Sequence, residues 1–159
     1  MATTHDATEF AEFTSSVAPW GGGYGQDAVL KFHVDMAAIA AELAATVDGS
    51  AADIVQIWDI PQGCIIEKVL MNVTTAEGAA ATVAVGDGDS AACYMAATSI
   101  NALTTTTKGG SAVTTDAYAI IGGKLYKTAD TLDLTFATAA DIDLAVFDLY
   151  VVCKFINII

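Results

Sequence analysis

With 6 Lys, no Arg and 19 Asp and Glu in 159 residues, the chain has a formal charge of −13 and a pI near 4.1. Nucleic-acid binding needs a basic patch, and an anionic bilayer repels such a surface, so the charge argues against both kinds of partner. The length suits one domain with a real core. The apolar fraction of 54% owes much to 31 Ala, and no apolar stretch reaches the roughly 18 residues of a spanning helix.

Met1 to Glu12 carries His5, Asp6, Glu9 and Glu12 and lacks the cationic, apolar pattern of a secretory signal, so synthesis in a cytosol is expected. Residues 1–26 end in Ala18-Pro19-Trp20-Gly21-Gly22-Gly23-Tyr24-Gly25, where the glycines prevent a regular element. This stretch is expected to be an extended arm before a domain at 27–159. Phe10, Phe13, Trp20 and Tyr24 are too apolar for a solvated tail. They fit docking on a partner or a neighbouring copy, or packing on the chain's own domain.

From Ala28 the period becomes two, with Val29, Lys31, His33 and Asp35 on one face and Leu30, Phe32, Val34 and Met36 on the other, which predicts a half-buried strand. Ala37 to Thr46 has the composition of a short helix, with Ile39 and Leu43 as its apolar stripe. Asp48-Gly49-Ser50 is a turn, and Asp53 to Ile60 alternates again before Pro61-Gln62-Gly63. Further strands are expected at 65–74, 82–85, 93–100, 117–121, 124–126, 131–137 and 142–155. Strict alternation in Thr131 to Phe136 and in Asp141 to Leu144 predicts a wet face on each. Without repeated helical crossovers, the expected fold is mainly β: an antiparallel β-sandwich, jelly-roll-like, with one short helix and an extended N-terminal arm.

Chemistry-bearing motifs are few. Asp87-Gly88-Asp89 resembles the opening of a calcium loop, but Ala91 and Ile100 stand where further ligands belong, and a turn between strands is the competing reading. Asp87 and Asp89 are thus weak metal candidates, and no metal or cofactor is expected. His5 and His33 have no neighbouring Cys or second His, and no Gly-x-Ser-x-Gly elbow occurs. Cys64, Cys93 and Cys153 are odd in number and widely spaced, and read as core residues. Thr104-Thr105-Thr106-Thr107-Lys108-Gly109-Gly110-Ser111 reads as an exposed loop. No catalytic residue is assigned, and an enzyme is not expected.

The stretches Gly63 to Ala76 (Gly-Cys-Ile-Ile-Glu-Lys-Val-Leu-Met-Asn-Val-Thr-Thr-Ala), Ala81 to Asp89 (Ala-Thr-Val-Ala-Val-Gly-Asp-Gly-Asp) and Ala129 to Phe136 (Ala-Asp-Thr-Leu-Asp-Leu-Thr-Phe) together resemble a small β-sandwich family of tailed bacteriophages, used as head decoration (cement) proteins or as fibre modules. The resemblance covers roughly the last hundred residues. It implies a structural virion protein on the outer surface of a phage head, made in the host cytoplasm. The implied partner is the major capsid protein; a homo-oligomer, with a trimer favoured, is expected, and Phe10, Phe13, Trp20 and Tyr24 of the arm, which is not part of the resemblance, are expected to grip the shell or a neighbouring copy. A tail-fibre or receptor-binding module touching a host glycan is the alternative implication, and a hydrolase on the same sandwich is a third reading that no motif supports.

Overall fold

A computed structural model describes residues 1–8, 12–15, 27–103, 119–120, 123–138 and 141–156, with the side chains of 12–15, 27 and 119–120 excepted. Its strands are β1 (Thr4–Asp6), β2 (Glu12–Ser15), β3 (Asp27–Asp35), β4 (Ile54–Ile60), β5 (Cys64–Thr75), β6 (Thr82–Asp87), β7 (Met95–Ser99), β8 (Ala119–Ile120), β9 (Gly123–Leu125), β10 (Asp130–Ala137) and β11 (Val146–Phe155). They form one sheet in the order β1-β4-β10-β6-β7 and a second in the order β2-β3-β11-β5-β9-β8. Every pairing among the described residues is antiparallel except β1 on β4. The fold is the antiparallel β-sandwich that the period-two pattern predicts.

Burial follows the alternation in β3, where Leu30, Phe32 and Val34 turn inward and Val29, Lys31 and His33 outward. Phe147, Leu149 and Val151 of β11 and Val69, Met71 and Val73 of β5 share that inner face, opposite Val55, Val83, Val85, Leu132, Leu134 and Phe136 of the other sheet. Full burial of such side chains contributes about 1.5–3 kcal/mol each. Across the layers Phe32 meets Trp58 with ring centroids 5.6 Å apart. Cys64, Cys93 and Cys153 are free and buried, as expected of core thiols. No helix among the described residues is long and apolar enough to cross a membrane.

The helix α1 spans Met36–Leu43, beginning one residue before and ending three residues before the predicted limits. Asp35 caps it, its Oδ1 accepting from Ala37 N at 3.0 Å and Ala38 N at 3.2 Å. Ala44 then turns left-handed at φ 49° and sends its N–H back to Ala41 O, which stops the helix despite the high helix propensity of Ala45.

Two expectations from alternation fail in part, although Asp141 and Asp143 are exposed as expected. Residues 141–145 form no strand; Ile142 and Ala145 are buried while Leu144 stands 56% exposed. Their amides are taken by other partners: Ile142 N donates to Val47 O, and the buried Glu77 carboxylate accepts from the N–H groups of Asp143, Leu144 and Ala145. In β10, Asp133 is buried rather than solvated. A bulge falls at Leu132/Asp133 against β4, and Asp133 pairs with Gly86, over which the Ser90–Ala91 backbone folds.

Within the stretch read as an arm, β1 and β2 each form the outer strand of one sheet, β1 against β4 and β2 against β3. Phe10, Trp20 and Tyr24 lie outside the described residues, as does the Thr104–Ser111 tract; Phe13 lies in β2, where its backbone pairs with Phe32. Of the strand expected at 117–121, residues 119–120 are described, as β8.

Candidate functional site

Among the described residues, a cluster of buried polar groups lies where β6 of one sheet meets β9 of the other. β6 ends at Asp87, and the chain turns at once, with Asp87 N donating to Ser90 O and Ser90 N returning to Asp87 O. The turn reading of Asp87-Gly88-Asp89 is therefore realised. Asp87 Oδ1 accepts from the backbone N–H groups of Asp89 at 3.1 Å and Ser90 at 3.0 Å. The register on β10 sets Asp87 opposite Leu132, so its carboxylate points into the sandwich and not to solvent.

Lys124 of β9 reaches this carboxylate from the other sheet. Its Nζ is 2.7 Å from Asp87 Oδ2 and 3.1 Å from Asp89 Oδ2. Asp87 and Lys124 are both buried, whereas the Asp89 side chain is 72% exposed. Tyr126 donates its hydroxyl to Asp87 Oδ2 at 2.5 Å, and the Tyr94 and Tyr126 hydroxyls bond each other. The ammonium also stands over the Tyr126 ring, 5.2 Å from its centroid.

The surroundings fix the charge states. Burial pushes the Asp87 carboxyl up, but hydrogen bonds from Lys124 and Tyr126 and the ammonium charge outweigh it and hold the group below the usual carboxylate range. Burial pushes Lys124 down, and its bonds to Asp87 and Asp89 more than reverse that. Both tyrosine hydroxyls are pushed up, chiefly by burial, and so is the Cys93 thiol. Such an ion pair is costly to bury, and removing one partner typically costs about 3–5 kcal/mol because the other charge is stranded.

Asp130 brings a third carboxylate, with one oxygen each of Asp87, Asp89 and Asp130 lying within 4.8 Å of one another. On Asp87 and Asp89 the chain already places its own cation, the Lys124 ammonium. The sequence flagged the two aspartates and missed Lys124, Tyr94, Tyr126 and Asp130. One signal was present: Lys124 is one of only six cations, and it sits in an otherwise apolar run, Gly123-Lys124-Leu125-Tyr126.

The two histidines lie elsewhere. His5 Nε2 is 3.2 Å from Asp53 Oδ2, and Asp53 also accepts from Thr3 N and Asp48 N, tying β1 to the body of its sheet. His33 Nδ1 is 2.9 Å from Asp148 Oδ1 on the outer face of the second sheet, with Lys31 on the same carboxylate. Neither histidine belongs to a metal-ligand cluster among the described residues. Beside α1, an open groove is lined by alanines of the helix and of the turn after it, by Thr46 and by Asp141 and Asp143.

No family model matches the chain, and no curated protein matches it. Among solved structures, a chain of the capsid asymmetric unit of cyanophage Pam1 superposes with a TM-score of 0.58 at 20% identity, covering 89% of this chain and 92% of that one. The two share a fold. A chain of the capsid of Ralstonia phage GP4 is similar with a TM-score of 0.49 at 14% identity, again over 89% and 92% of the two chains.

Proposed function

We propose that this chain is a structural protein of a bacteriophage virion, a decoration (cement) protein that binds the outer surface of the head and stabilises it. The observation that carries the reading is the fold likeness to a Pam1 capsid chain over nearly the whole of both chains. The composition agrees with it: an acidic, Arg-free surface resists nonspecific adsorption to DNA, which suits the outside of a DNA-filled shell.

The partner in this reading is the major capsid protein, with a homotrimer as the assembling unit and Phe10, Phe13, Trp20 and Tyr24 as the gripping side chains. Each aromatic buried on the shell contributes on the order of 1.5–3 kcal/mol before ordering costs. Because β1 and β2 lie within 1–26 and edge the two sheets, deleting that stretch would damage the sandwich itself. The test is therefore substitution in the full chain. Phe10→Ser, Trp20→Ser and Tyr24→Ser are combined and the variant is sedimented with heads that lack the protein. Loss of co-sedimentation with unchanged circular dichroism is the expected result. Undiminished binding would overturn the arm's role, and failure of the unaltered chain to bind heads would overturn the decoration reading.

A further inference from the structure

We propose that Asp87 and Lys124 condense to an intramolecular amide, a covalent staple joining β6 of one sheet to β9 of the other. This inference stands on the cluster's geometry and does not depend on the virion reading. The four components of an acyl-transfer site are present around one carboxyl group. Lys124 Nζ is the nucleophile, 2.7 Å from Asp87 Oδ2. The backbone N–H groups of Asp89 and Ser90 hold Oδ1, where the charge of a tetrahedral intermediate would collect. Tyr126 donates to Oδ2, the oxygen that must leave. Asp89 Oδ2, 3.1 Å from Nζ and largely exposed, is the base and opens the proton route to solvent.

The step balances without an oxidant or a co-reactant. The ammonium passes one proton directly to Asp87 Oδ2 and a second to the same oxygen through Asp89. The freed nitrogen lone pair forms the N–Cγ bond, and the Cγ–Oδ2 bond breaks with its electron pair on oxygen, which departs as water. A buried ion pair thereby becomes a neutral amide, which removes the desolvation penalty of two charges. The fold supplies the proximity that free amine and acid lack in water, where well-oriented intramolecular reactions reach effective molarities on the order of 10⁵–10⁸ M. The ion pair is the resting state and its charged form is favoured, so the reaction runs through the minor neutral tautomer and is slow.

Intact-mass measurement of the full chain after prolonged incubation at neutral pH is the test, followed by peptide mapping. The expected result is a mass lower than the sequence mass by one water, with a branched peptide joining the segments around Asp87 and Lys124. Asp89→Asn should slow the loss by about 10²-fold or more, because it removes the base and leaves the ion pair. Lys124→Arg keeps the cation and should retain the full sequence mass. A folded, unaltered chain that keeps its full mass overturns the proposal. So does water loss mapped to an unbranched peptide, which would mark a succinimide at Asp87-Gly88.

Discussion

The Glu77 carboxylate accepts the Ala145 N–H at 2.8 Å across 68 residues of sequence. Its second bond to the Leu144 N–H, at 3.2 Å, closes the loop that leads into β11. Glu77 and Ala145 are buried, so the Ala145 amide has no water to fall back on. Glu77→Ala should cost about 2–3 kcal/mol in urea unfolding, since it leaves the buried Ala145 amide unpaired and frees the loop. Glu77→Gln, which retains an acceptor, should cost about half as much. Equal unfolding midpoints for Glu77→Ala and the unaltered chain would contradict this role.

Acid should weaken the fold through Asp53 and Asp148. At Asp53, burial raises the carboxyl but is outweighed by the bonds from Asp48 N, Thr3 N and His5; at Asp148, burial is outweighed by His33 and Lys31. Both folded values lie below the unfolded value of 3.8. Their stabilisation is therefore fully present only about a unit above the unfolded value, near pH 5, and is lost as pH falls through the folded values. Urea midpoints at physiological salt, where charge repulsion is screened, should fall between pH 5 and pH 2.5. Asp53→Asn should flatten that fall.

Asp133 has the opposite sign. Burial, the first cause, raises its carboxyl with help from Asp130 and Asp87, and its Oδ1 has no hydrogen-bond partner among the described residues. A carboxylate whose folded value is raised destabilises the fold at pH above that value, and the penalty disappears as it protonates. Asp133→Asn should therefore stabilise the protein at pH 7, by about 1 kcal/mol, and have little effect at pH 3. A destabilised variant at pH 7 would show that the charge is compensated.

Gly86 is required by a close approach of backbone. A Cβ there would lie 2.0 Å from Ser90 O and 2.3 Å from the Ala91 carbonyl carbon, neither of which is a flexible side-chain end. Gly86→Ala should cost about 3 kcal/mol and displace the turn that presents Asp87 and Asp89. Differential scanning calorimetry checks this, an unchanged Tm being the contrary result.

How far the sequence could be read depended on what each strand faces. The alternation in β3 was legible because its outer neighbours, Lys31 and His33, reach solvent or Asp148 while its inner residues meet the core. The same alternation in Asp141 to Leu144 misled, because period two is a property of side chains. Whether a ladder forms depends on the amides, and Glu77 and Val47 had taken these. Asp133 misled for a related reason: a bulge and a turn from elsewhere in the chain cover its face. At the site, Asp87-Gly88-Asp89 was visible as a local motif. Its partner Lys124 lies 37 residues away on the other sheet, and a lone Lys in a strand carries no mark of the carboxylate it will meet.

The proposed place of the chain on a phage head is tested by gold labelling of intact particles with an antibody against it. Uniform label over the head is expected of a decoration protein. Label confined to the tail, or none on the particle, would contradict it.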